Sequence, residues 1–156
     1  MRRIMGSKRG MFVAMALAAS FVLVACGGEN GDPVDPIEGE WESRDKVGGK
    51  RNQLMLLNQL GALSGDATVY AYLTIEGYQV KAAFSFDASA TMRTDRKYRV
   101  KLRATKLCLP ELSKCFTSDM SDYDAELDCR LGSLQDELEC DADGDWSGYE
   151  FTWRKM

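Results

Sequence analysis

Residues 97–104 read Lys-Tyr-Arg-Val-Lys-Leu-Arg-Ala, an unbroken alternation of charged and apolar side chains. On a helix such a pattern would scatter the charges around the whole circumference. On an extended strand it places Lys97, Arg99, Lys101 and Arg103 on one face and Tyr98, Val100, Leu102 and Ala104 on the other. Residues 122–129 repeat the pattern with the opposite sign: Asp122, Asp124, Glu126 and Asp128 alternate with Tyr123, Ala125, Leu127 and Cys129. Two strands that each have one wet and one buried face must pack their apolar sides on a common core. A hairpin with Cys108 opposite Cys115 sets Lys101 across from Asp122, Arg99 from Asp124 and Lys97 from Glu126, with Tyr98 facing Ala125 and Val100 facing Tyr123. Cross-strand ion pairs of this kind, at roughly 0.2 to 1 kcal/mol each, help to set register. A basic stripe can also bind acidic headgroups or a polyanion, but the acidic stripe favours internal pairing.

The same short-strand pattern fills the rest of the chain after residue 38. Strands are expected at 39–45, 51–60, 68–74, 79–87, 96–109, 122–131, 137–142 and 149–155, separated by turn-forming stretches at 48–49, 63–66, 76–77, 88–90, 109–111, 132–133 and 143–145. Leu56, Leu60 and Leu63 also fit one face of a short helix, although Gly61 disfavours a long one. Eight short strands without βαβ spacing predict an all-β domain, an antiparallel up-and-down barrel or a sandwich.

Upstream lies a targeting segment. Arg2, Arg3, Lys8 and Arg9 precede fifteen uncharged residues, Met11 to Ala25, broken in character only by Ser20. That is the layout of a signal peptide, and it is short of the roughly 20 apolar residues that a spanning helix needs. The run ends in Leu23-Val24-Ala25-Cys26. This motif resembles the lipobox of bacterial lipoproteins, the other reading being an ordinary signal peptide followed by a chance cysteine. The resemblance implies removal of residues 1–25, a diacylglycerol thioether on Cys26 and acylation of the new amino group. Two or three acyl chains hold a protein at a membrane where one binds only reversibly. The expected location is the cell envelope, with the domain lipid-anchored and facing the periplasm or the surface.

Residues 27–38 carry glycines, prolines and acids with almost nothing to bury, which predicts a flexible linker, so that the domain spans 39–156. Of 20 Lys and Arg, four belong to the signal peptide; the 16 that remain face 24 Asp and Glu, a net charge of about −8 that argues against a nucleic-acid partner.

Four cysteines follow Cys26, and an even number in an exported domain predicts two disulfides. Three connectivities are open. The local pairing, Cys108 with Cys115 and Cys129 with Cys140, is favoured because the second bridge would bring Leu131 opposite Leu138 and Leu127 opposite Ala142. The chain has no histidine, no C-x-x-C, no Ser-x-x-Lys and no nucleophile elbow, so neither an enzyme nor a zinc site is expected. Glu139, Asp141, Asp143, Asp145 and Glu150, with Gly144 between, approximate the spacing of a Ca2+-binding loop. Against that reading, position 1 is Glu rather than Asp and the flanks look like strands; an acidic turn is the simpler expectation.

Gly39-Glu40-Trp41, Ser121-Asp122-Tyr123 and Arg154 on the last strand are similar to short motifs of the lipocalins. The resemblance implies a small eight-stranded lipocalin-like barrel closed at its base by Arg154 over Trp41. It also implies a small apolar ligand held by Tyr70, Tyr72, Phe84, Phe86, Tyr98 and Tyr123, with Val100 and Leu127, although these residues would equally fill a solid core. Three functions follow: a barrel binding a small apolar molecule, a filled module that contacts an envelope protein through 109–114 and 143–148 with an exposed Trp146, or a structural lipoprotein.

Overall fold

The alternating segments close on themselves. The computed structural model describes residues 34–156; the expected signal peptide, Cys26 and residues 27–33 lie outside the described residues. The strands are β1 (Gly39–Val47), β2 (Lys50–Gln59), β3 (Ala62–Ile75), β4 (Tyr78–Thr94), β5 (Lys97–Leu109), β6 (Lys114–Phe116), β7 (Ala125–Leu131), β8 (Glu137–Asp143) and β9 (Glu150–Lys155). Hydrogen bonding runs β4-β3-β2-β1-β9-β8-β7-β5, and the β4–β5 ladder completes the ring. The result is an eight-stranded antiparallel up-and-down barrel. The three-residue β6 is a spur that shares the β5 edge with β7.

Inward positions of the barrel strands are apolar except for Ser43 on β1 and Asn52 on β2, and the largest sealed side chains are Trp41, Trp153, Tyr98 and Phe84. Leu54 and Leu56 settle the ambiguous leucine run as strand, both buried at period two.

Three expectations are corrected. First, β3 and β4 run straight through the stretches 63–66 and 88–90, where turns are expected. Gly65 pairs with Ala88 and Leu56 in mid-sheet, and a Cβ there would lie 1.9 Å from the Met55 carbonyl oxygen. This glycine serves a close backbone approach and not a turn.

Second, β7 pairs with β5 four residues out of the expected register: Lys97 faces Arg130, Arg99 faces Asp128, Lys101 faces Glu126, Tyr98 faces Cys129 and Val100 faces Leu127. The slack is taken up after Phe116, where the chain leaves the sheet and forms a 3-10 turn at Ser121–Tyr123 before β7 begins. Asp122 and Asp124 therefore lie outside the ladder, and Asp124 instead accepts the Ala104 N–H. Because four is even, every β7 side chain keeps its face.

Third, the compact unit begins at Asp35 and not at Gly39. Ile37 is fully buried, its carbonyl accepts the Trp41 indole N–H at 2.8 Å, and Asp35 accepts the Tyr98 hydroxyl at 2.9 Å.

Candidate functional site

Both disulfides join the cysteines of the favoured pairing, with Cα atoms 4.1 Å apart for Cys108–Cys115 and 4.0 Å for Cys129–Cys140. The second brings Leu131 opposite Leu138 and Leu127 opposite Ala142, as the apolar pattern requires. Cys129 and Cys140 are buried inside the barrel, whereas Cys108–Cys115 ties the spur β6 to β5.

The expected ligand lining divides in two. Phe84, Phe86 and Tyr98 point inward, but they are packed: Trp146 meets Phe84 edge-on at 5.1 Å and Phe86 at 6.1 Å, and Tyr123 lies 5.4 Å from Phe84. Trp146 is buried, not exposed, and its indole N–H donates to the Tyr123 carbonyl at 2.9 Å. Burial and then the hydrogen bond to Asp35 push the Tyr98 phenol far above the usual tyrosine range. Tyr70 and Tyr72 lie on the outer side of β3, where Val69 and Ala71 take the inward positions. In β3 both parities carry apolar bulk, so the pattern does not choose between them.

At the barrel base the cation over Trp41 is Lys155 and not Arg154, with Nζ 5.3 Å from the ring centroid. β1 and β9 pair Trp41 with Lys155 and Glu42 with Arg154, which puts Arg154 on the outer face. Lys155 also donates to the Pro36 carbonyl at 2.9 Å, fastening the entering chain.

Three of the four cations of the basic stripe pair internally, while Lys97 faces Arg130. Arg99 bridges Asp128 at 2.8 Å and Glu126 at 2.7 Å, Lys101 approaches Glu126 at 3.6 Å and Arg103 pairs with Asp87 at 2.6 Å. The hydrogen bond from Arg99 holds the Glu126 carboxyl below its ordinary range. The calcium-loop spacing does not become a loop. Glu139, Asp141 and Asp143 project outward at period two from β8, and only Gly144–Trp146 turns. Among the described residues no three acids or cysteines converge as metal ligands.

A cleft opens in the barrel wall, and the strand lengths create it. The β1–β9 ladder stops at Ser43 opposite Trp153 and the β2–β3 ladder at Gln53 opposite Thr68, yet β9 continues to Glu150 and β3 to Ile75. A bulge between Glu42 and Lys46 interrupts the β1–β2 ladder, and Lys81 of β4 holds the hairpin tip by donating to the Gly48 carbonyl. The wall is thereby left open over a space of about 340 Å³ whose floor includes Val69, Ala71 and Phe151. Ser43 and Asn52, the two buried polar residues among the described ones, line it. Asn52 Oδ1 accepts the Tyr70 N–H at 2.7 Å in place of the missing ladder, and Ser43 Oγ accepts the Asn52 N–H at 2.8 Å.

No protein-family model matches the chain, and no curated protein or solved structure is significantly similar to it. The site therefore rests on its own geometry. Sequence reasoning passes over Ser43, Asn52 and Phe151; the available signal is a polar residue at an inward position on each of β1 and β2, beside Trp41 and Leu54.

Proposed function

We propose that the mature protein is a lipid-anchored lipoprotein of the cell envelope whose barrel binds a small, largely apolar molecule in the lateral cleft between β1, β3 and β9. The observation that carries the binding role is that cleft, with an apolar floor of Val69, Ala71 and Phe151 in a barrel otherwise filled by side chains. Its volume of about 340 Å³ is at the lower end of small-molecule sites. The lipid anchor is supported by the Leu23-Val24-Ala25-Cys26 motif.

Two measurements test the halves separately. Cys26→Ala is expected to move the protein from the membrane fraction to the soluble one, and continued membrane association of that variant would contradict the anchor. Native mass spectrometry of the Cys26→Ala chain, purified without detergent, is expected to show a small adduct that Ala71→Phe removes. An adduct retained by a folded Ala71→Phe variant would place the ligand elsewhere.

A second reading has its own observation. Leu112 and Phe116 are each close to half exposed on the β5–β6 projection that Cys108–Cys115 staples. Exposed apolar side chains on a rigid projection suit a protein contact. Leu112→Ser with Phe116→Ser is expected to abolish capture of an envelope protein if this surface is the working one, with the small-molecule adduct unchanged.

A further inference from the structure

Resting on the cleft as the ligand site, we infer that its ligand is a small organic cation: a protonated or quaternary amine with an apolar body. Asp45 and Glu150 stand at the cleft with the tyrosines Tyr70, Tyr72 and Tyr149, and no lysine or arginine lines it. Carboxylates and aromatic faces together favour a cationic group on a weakly hydrated body. Tyr72 and Tyr149 are roughly half exposed, and Tyr149 is braced against Trp146 at 5.4 Å, so aromatic surface is available without rearrangement.

A second observation concerns charge. Across β7, β8 and β9, Asp128 faces Asp141 and Asp141 faces Glu150. Like charges directly opposite one another destabilise a sheet. Arg99 answers Asp128, but among the described residues no lysine or arginine forms an ion pair with Asp141, Glu150 or Asp45. The edge of the cleft thus carries uncompensated negative charge that a ligand cation relieves. These carboxylates do not converge as metal ligands, so a diffuse organic cation fits them better than a metal ion.

The test is calorimetric titration of the full chain carrying Cys26→Ala with three probes of similar shape: 2-phenylethylamine, 2-phenylethanol and 3-phenylpropanoate. The amine is expected to bind about tenfold more tightly than the alcohol, with the carboxylate weakest. Asp45→Asn with Glu150→Gln, changes at exposed positions that leave the core untouched, is expected to reduce amine affinity by about tenfold and to remove its salt dependence. Equal binding of amine and alcohol, both lost in Ala71→Phe, would overturn the cation while keeping the cleft. Amine binding that survives both the charge variant and Ala71→Phe would overturn the cation and the cleft together.

Discussion

At the scale of single residues, the most informative group is Tyr98. Its position opposite Cys129 buries the ring, and its hydroxyl ties Asp35 to the barrel wall. The folded protein holds the phenolic proton more tightly than the unfolded chain does. Above the ordinary tyrosine pKa of about 10 the unfolded state loses protons that the native state retains, so stability falls as pH rises. Tyr98→Phe is therefore expected to flatten the alkaline limb of a pH–stability profile measured by urea denaturation, at the cost of the Asp35 contact. An unchanged alkaline limb would mean that the hydroxyl is free in the native state. At Gly65 the constraint is steric. A methyl group there meets the Met55 carbonyl, and Gly65→Ala is expected to destabilise the barrel by about 1 to 3 kcal/mol, the usual range for overpacking.

At the scale of elements, parity was legible in the sequence and register was not. Lys97 to Ala104 and Glu126 to Cys129 alternate so strictly that their faces follow from period two alone. The four-residue shift between β5 and β7 depends on what residues 117–124 do outside the sheet, where the alternation of Asp122, Tyr123 and Asp124 ends in a 3-10 turn and not in the strand. The turn stretches at 63–66 and 88–90 mislead for a related reason: small residues serve both tight turns and close strand packing. Tyr70 and Tyr72 face outward and not into the barrel, because Val69, Ala71 and Leu73 take the inward face of β3. Both disulfides were legible, since apolar neighbours matched across the Cys129–Cys140 hairpin. Their consequences differ. The two bridges close loops of 7 and 11 residues in sequence separation, and chain entropy assigns each about 2.5 to 3 kcal/mol. Cys129 and Cys140 also fill the interior, so replacing both with Ser is expected to lower the melting temperature more than the same change at Cys108 and Cys115. Equal losses in calorimetry would show that packing adds nothing to the inner bridge.

At the scale of the whole molecule, the fold separates two ends. The chain enters at Asp35, Ile37 and Lys155 close the base, and β1 rises from Gly39 towards the cleft, which begins beyond Ser43. The number and spacing of the strands predicted a barrel or a sandwich, and the β4–β5 ladder that closes the ring makes it an up-and-down barrel. The cleft was not predicted, because it comes from strands that outrun their partners: β9 and β3 extend past the last rungs of β1 and β2. The interior itself is occupied, with Trp146 and Tyr123 over Phe84 at one end and Trp41 under Lys155 at the other.

The account stands most directly on where a ligand binds. An amide chemical-shift map of the full chain with Cys26→Ala, titrated with 2-phenylethylamine, reads this position by position. The predicted shifts cluster at Ser43, Asn52, Tyr70 to Tyr72 and Tyr149 to Thr152, with Phe84, Val100 and Leu127 unmoved. Shifts centred on Phe84, Val100 and Leu127 would contradict the account, because the ligand would then occupy an interior that the packing described above leaves no room for.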